Sequence, residues 1–403
     1  MHSSFFRTAL VLGLLSAIGP FAIDMYLPAL PAIGASLGAD VSHVQMSLMS
    51  FFLAIAISQL VYGPAADMYG RKAPLYFGLG VFVVGSIGCA LAPNIETLVA
   101  FRFLQGLGGG AAMVVPRAVV RDLHTGTEAA RLMSLLLLVF SVSPILAPLV
   151  GSLVIELTGW RAIFWVVTLA GAVGIVLVAM TLAETRPPAQ RTASSVGSAF
   201  RAYGGLLRDR HFLGLVFIGA FGMSSFFVYL ANSSFVLIDH YGLSPRMYSV
   251  AFSINAVSFI GVSQMTGKLA ARFGLKHMVK IAVTGFAVTM AALAVLSLLG
   301  VDRLDVMATM LFIGYGFLGL VVPSTSVLAL EDHGANAGTA SALMGTLQLV
   351  TGAVVMAVVG LFIDGTARPM IIGIALCSGV SLVLTARTLG GWKQRDVPLG
   401  QKG

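Results

Sequence analysis

The amino-acid sequence predicts an all-α integral membrane protein, with twelve transmembrane helices in two pseudo-symmetric six-helix halves. Three observations lead there. Of 403 residues, 58% are hydrophobic and only 10% are charged, with a mean hydropathy of +0.95. Apolar runs long enough to cross a bilayer recur from one end of the chain to the other. A ten-residue loop pattern occurs twice, 204 residues apart.

Composition sets the class. Soluble domains carry roughly 25% charged residues, and this chain cannot cover a water-facing surface of its size. The formal charge of +8 does not point to nucleic acid, because the charges punctuate apolar runs and form no stripe or tail. Cys89 and Cys377 both sit inside apolar runs, so no disulfide framework is expected. All seven His lie in loops or the N-terminal tail without paired metal spacing, so no metal is expected.

A helix needs ~20 apolar residues to cross the hydrocarbon. The expected spans are 9–31, 44–66, 73–92, 97–120, 132–157, 162–183, 212–238, 247–267, 278–299, 306–330, 337–363 and 369–389. The first run exceeds a signal-peptide core of ~7–15 residues and is followed by eleven more, so it reads as a span. With the N-terminus inside, 19 of the 24 Lys and Arg fall on the inner side, four fall outside and Arg102 lies within a span. That asymmetry places both termini in the cytoplasm.

The polar stretch 184–211 holds Pro187, Pro188, Ser194, Ser195 and five Arg. It reads as a cytoplasmic linker, in part an amphipathic surface helix. The expected organisation is therefore 1–183, an N-terminal six-helix bundle; 184–211, the linker; and 212–403, a C-terminal six-helix bundle with a short tail. The repeat agrees: Gly63-Pro-Ala-Ala-Asp-Met-Tyr-Gly-Arg-Lys72 ends span two, and Gly267-Lys-Leu-Ala-Ala-Arg-Phe-Gly-Leu-Lys276 ends span eight. Two related six-helix halves with a binding cavity between them near the midplane are a known transporter plan.

The Gly63–Lys72 segment resembles the loop signature of the major facilitator superfamily, G-x-L-A-D-R-x-G-R-K. Ala65 replaces its Leu and Met68 its basic residue. Within that superfamily the chain is similar to the twelve-span drug:proton antiporters of the Bcr/CflA (bicyclomycin-resistance-like) group. Asp24-Met-Tyr-Leu-Pro-Ala-Leu-Pro31, Arg102-Phe-Leu-Gln-Gly106 and Trp160-Arg-Ala-Ile-Phe164 carry the narrower likeness. The resemblance implies a multi-pass protein of the bacterial cytoplasmic membrane and export of small lipophilic drugs by alternating access. It also implies protons as the counter-substrate, the proton motive force as the energy source, no cofactor and a monomer.

Charged groups inside a membrane are expensive and mark function. Asp24 lies in the outer part of span one, and Arg102 at similar depth in span four. Two readings are open: a proton site, with the acid responding to burial and to the nearby cation, or a fixed ion pair between the spans. By resemblance, Arg102 matches an Arg linked to proton coupling.

Gly63, Asp67, Gly70, Arg71, Lys72 and Asp122 match a gating loop whose Asp–Arg contacts latch one conformation; simple anchoring by basic residues is the alternative. Span five carries Pro144, Pro148 and Gly151, which partly match the antiporter signature G-P-x-x-G-G. An ordinary tight helix crossing would explain them equally.

The second half has no mid-span acid or base. Gly222, Ser225, Tyr229 and Asn232 share one helix face, and Ser341, Gly345, Gln348 and Gly352 share another. Tyr229, Asn232, Asn255 and Gln348, with Tyr26 and Gln105 from the first half, are candidates to line a substrate cavity. Interhelical packing is the alternative. Gly106-Leu-Gly-Gly-Gly110 is not a dinucleotide loop, since no strand precedes it. With no phosphate loop and no nucleophile–base pair, neither ATP hydrolysis nor enzymatic catalysis is expected. The rival to drug export is a proton symporter importing a small nutrient on the same fold.

Overall fold

The computed structural model describes residues 2–124, 126–188, 201, 203–333 and 337–390. The proposed surface helix and Ser194 and Ser195 of the linker lie mostly outside these residues, as does the tail beyond 390. Among the described residues the chain is helical throughout, and eleven helices are long and apolar enough to cross a membrane, or twelve if one bent pair counts as a single span. Large apolar side chains on their outer faces, among them Phe77, Leu169, Met180, Val288 and Leu376, are exposed. That surface suits lipid and not water.

The chain divides into two compact units, Met1–Phe200 and Arg201–Gly403, with the boundary inside the polar stretch 184–211. The first unit contains α1 (His2–Asp24), α2 (Leu30–Leu37), α3 (Val41–Tyr69), α4 (Lys72–Ala90), α5 (Ile95–Leu123), α6 (Gly126–Thr158) and α7 (Arg161–Thr181). The second contains α8 (Arg210–Ser234), α9 (Pro245–Ser263), α10 (Thr266–Phe273), α11 (Leu275–Leu298), α12 (Leu304–Glu331), α13 (Ala337–Gly360) and α14 (Arg368–Thr388).

The repeat reappears as a packing pattern. In the first unit α5 packs on α3 and α4, α4 on α7, and α1 on α5, α6 and α7. In the second, α12 packs on α9 and α11, α11 on α14, and α8 on α12, α13 and α14. Each of these pairings in the first unit has its counterpart in the second.

Small residues permit these approaches. A Cβ at Gly106 would stand 2.5 Å from the Phe51 carbonyl oxygen, and one at Gly108 would collide with the backbone of Phe82. The glycine run of α5 is thus the surface on which α3 and α4 close.

Three spans depart from uninterrupted helices. Span one breaks immediately after Asp24, continues as a 3-10 turn at Leu27–Ala29 and resumes as α2, reaching Leu37 and not residue 31. Pro28 and Pro31 explain this: neither has an N–H for the carbonyl four residues back. Span seven ends in a π-helical turn, Phe235–His240. Span eight bends by 42° between α9 and α10 and runs on to Phe273, beyond the expected residue 267.

Candidate functional site

Asp24 is the last helical residue of α1 and only 5% exposed. Its carboxylate Oδ2 accepts a hydrogen bond from the Ser143 hydroxyl of α6, at 3.3 Å. Arg102 of α5 is fully enclosed. Its Nη1 donates to the Ala22 carbonyl at 3.2 Å and to Gln105 Oε1 at 2.6 Å. The guanidinium carbon lies 4.1 Å from the centre of the Phe51 ring and 4.5 Å from that of Tyr26. These cation–π contacts partly replace lost hydration. Nε and Nη2 have no hydrogen-bond partner.

Asp24 and Arg102 therefore lie at the same end of α1 without forming an ion pair. The acid is bonded to α6, whereas the cation reaches the backbone two residues earlier. The fixed ion-pair reading does not describe this structure.

Gln105 and Tyr26, expected to line a cavity, are both committed inside the first unit. Gln105 donates through Nε2 to Ser86 Oγ at 2.8 Å, and Ser86 donates to the Phe82 carbonyl. The Tyr26 hydroxyl is 2.6 Å from that of Ser47.

α6 carries Pro144 and Pro148 within the helix. A Cβ on its Gly151 would collide with the Met25 carbonyl. The proline-bearing helix thus lies against the backbone immediately after Asp24.

The loop joining α3 to α4 forms a second cluster. Gly70 has φ +88°, a conformation that favours glycine. Arg71 is 3% exposed and donates through Nε and Nη2 to both oxygens of Asp122, at 2.7 and 3.0 Å, and through Nη1 to Asp67 at 2.9 Å. Burial alone would lower its pKa; its bonds to the Asp122 and Asp67 carboxylates outweigh that and hold it above the ordinary value. The Asp–Arg contacts expected of this loop are present. Met68 brings no charge to this loop, but a second cation reaches Asp67: Arg186, whose Nη1 lies 3.2 Å away. Thr185 donates to Asp122, and Glu184 accepts from the backbone N–H groups of Arg71 and Lys72 at 2.8 and 3.1 Å. A carboxylate there satisfies the free N–H groups at the start of α4. Glu184, Thr185 and Arg186 belong to none of the sequence motifs; their signal is the charged pair flanking Thr185 where span six ends. Gly63 faces open space, and the Lys72 ammonium lies over the Tyr76 ring, 5.8 Å from its centre.

In the second unit Tyr229 stacks on Phe252, with ring centres 5.6 Å apart at 9°, and lies 5.5 Å from Tyr315. Asn255 Nδ2 donates to the Tyr229 hydroxyl at 2.9 Å, while its Oδ1 is unpartnered. Asn232 donates to the Val228 carbonyl of its own helix. Gln348 is half-buried, and a Cβ on Gly219 would lie 3.4 Å from its Nε2. Gly222 meets Leu318 and Gly352 meets the Phe227 ring, so packing accounts for these two glycines.

The pattern of the Major Facilitator Superfamily matches residues 12–356. The chain belongs to the major facilitator superfamily. It is a multi-pass membrane transporter of that superfamily. It is 38% identical to the "Uncharacterized MFS-type transporter YdgK" of Bacillus subtilis over 90% of each chain. It is 30% identical to the "Bicyclomycin resistance protein homolog" of Haemophilus influenzae, covering 96% of this chain and 98% of that protein. It is 31% identical to the "Multidrug resistance protein MdtL" of Klebsiella pneumoniae over 91% of each. Among solved structures, a D-xylose-proton symporter superposes with a TM-score of 0.73 at 17% identity, over 98% of this chain and 99% of that one. That likeness speaks for the superfamily fold alone.

Proposed function

We propose that this transporter is a proton-coupled antiporter that exports small lipophilic drugs by alternating access. It works in a bacterial cytoplasmic membrane with both termini in the cytoplasm, and Asp24 carries the proton. One observation carries the reading: a carboxyl 5% exposed, at a helix break within a membrane span, whose single hydrogen bond comes from a serine hydroxyl and not from a cation. An ionised carboxylate is costly in such a place, and taking up a proton removes the cost. Opening the site to water restores the charged form. Relatives named for bicyclomycin and multidrug resistance support drugs as the class of substrate.

One charge moved through the membrane supplies ~2.3 kcal/mol per 100 mV. That sustains nearly two decades of substrate gradient. Arg102, held in its aromatic enclosure, fixes α5 against the end of α1 and sets the electrostatic background for Asp24. The loop cluster around Arg71 latches one conformation.

The test uses energised inside-out vesicles with a pH-reporting dye and a panel of lipophilic antibiotics. Wild type should release protons when a transported compound is added, and Asp24→Asn should not, at equal protein level. Undiminished release in Asp24→Asn would refute the assignment. Proton movement in the opposite direction would favour nutrient symport.

A further inference from the structure

Buried serines in this chain mostly serve their own helices. Ser47, Ser58, Ser86, Ser224 and Ser324 each donate to a carbonyl three or four residues back, at 2.6–2.8 Å. That is the usual fate of a serine inside a helix. Ser143 is equally enclosed, yet its hydroxyl crosses to another helix and donates to Asp24. The next residue, Pro144, sharpens the contrast. Proline has no N–H to give the carbonyl four residues back, which is that of Phe140. A carbonyl lacking its helical donor thus lies three residues before Ser143, at the spacing that other serines of this chain use.

We propose that Ser143 is the positioning residue of the proton site: its hydroxyl holds the ionised Asp24 carboxylate, and turns to the Phe140 carbonyl when Asp24 takes a proton. This rests on the reading of Asp24 as the proton carrier. A hydroxyl is one donor and two acceptors. With Asp24 ionised, Ser143 donates to it. With Asp24 protonated, the acid O–H donates to Ser143 Oγ, and the serine proton goes to Phe140. No hydrogen bond is lost, and α6 registers the change. The same helix abuts Met25 through Gly151, so a shift of α6 acts directly on the break in α1.

The surrounding charges leave this role to Ser143. From α5, Arg102 is bonded to Ala22 and Gln105 and makes no ion pair with Asp24, and the Arg117 guanidinium lies over the Phe140 ring, 5.2 Å from its centre. From α7, Arg161 donates to the Ala92 carbonyl and lies over the Trp160 ring. The charges of α6 itself, Glu128, Arg131 and Glu156, stand twelve or more residues from Ser143. Asp24's neighbours in the break, Met25 to Ala29, include only the Tyr26 hydroxyl as a titratable group, and that is bonded to Ser47.

The experiment is an infrared titration of the purified full-length protein in proteoliposomes, following the carbonyl stretch of the protonated acid. It needs no transported compound. Wild type shows a titrating band that Asp24→Asn removes. In Ser143→Ala the midpoint moves to higher pH by about one unit, tenfold in the protonation equilibrium, the scale of one hydrogen bond to a charged group. Ser143→Thr restores the wild-type midpoint, and Ser143→Cys, a weaker donor, falls between. A wild-type midpoint in both Ser143→Ala and Ser143→Cys overturns the inference, as does failure of Ser143→Thr to restore it. A band unchanged in Asp24→Asn, or no titrating band in wild type, overturns the proton-site reading beneath it instead.

Discussion

Truncating Asp122 removes two of the three side-chain hydrogen bonds that hold Arg71. Arg71 is 3% exposed, so its Nε and Nη2 lose their partners without gaining full access to water. Breaking a fully buried pair costs about 3–5 kcal/mol. Two features reduce that here: the Asp122 side chain is 15% exposed, and Asp67 keeps its bond to Nη1. Asp122→Ala should therefore cost about 2–3 kcal/mol. Arg71→Ala should cost a similar amount, because Asp122 then keeps the Thr185 hydrogen bond and the charge of Arg186 but loses its two bonds from Arg71. The double variant should cost less than the sum, with a coupling of about 1.5–2 kcal/mol. The assay is graded unfolding in a denaturing detergent, followed by far-ultraviolet circular dichroism, on all four proteins. Additive single effects, with coupling below about 0.5 kcal/mol, would refute the reasoning. The contact would then be a solvated surface pair worth little.

Three more outcomes are expected. Gly151→Ala should destabilise by about 1–3 kcal/mol because its Cβ meets the Met25 backbone, whereas Gly80→Ala, which meets open space, should be neutral or stabilise by up to about 1 kcal/mol; equal thermal midpoints would contradict the α1–α6 contact. Glu184→Gln should cost about 0.5–1 kcal/mol, since the charge at the start of α4 is lost while the acceptor stays; a Glu184→Ala comparison in the same unfolding assay separates charge from hydrogen bonding. Asp302 accepts from the Tyr241 hydroxyl at 2.6 Å and is 2.8 Å from His240 Nε2; chiefly through the Tyr241 bond, and also through His240, its carboxyl is held below the usual carboxylate range. A depressed folded value means stabilisation that is complete above about pH 4 and lost as pH falls through the folded value; Asp302→Asn should flatten that acid limb in melting curves recorded against pH.

Much of the architecture was legible because lipid is an exacting solvent. A segment that crosses it must be long, apolar and helical, so spans such as 73–92 and 97–120 agree with Lys72–Ala90 and Ile95–Leu123 to within a few residues. The loop repeat at Gly63 and Gly267 was legible for a related reason: both halves use the same packing pattern. Asp24, Arg102, Arg71 and Asp122 stood out because charge is rare in such a chain.

Partnership beyond the Asp–Arg contacts of the loop was not legible, because a sequence specifies depth along a helix but not azimuth around it. Asp24 and Arg102 share a depth, yet one bonds to Ser143 and the other to the Ala22 carbonyl. The rotation of each helix about its own axis decides between those outcomes, and only tertiary packing sets that rotation. Glu184 and Arg186 were hidden for the same reason: they lie more than a hundred residues along the chain from Arg71 and Asp67, and only the return of α7 brings them to the loop. The sequence by itself determined the solvent, the number of spans, the internal repeat and the positions where charge enters the membrane. Tertiary structure alone decided which groups satisfy those charges, because a hydrogen bond demands angstrom-scale geometry that hydrophobic periodicity does not encode.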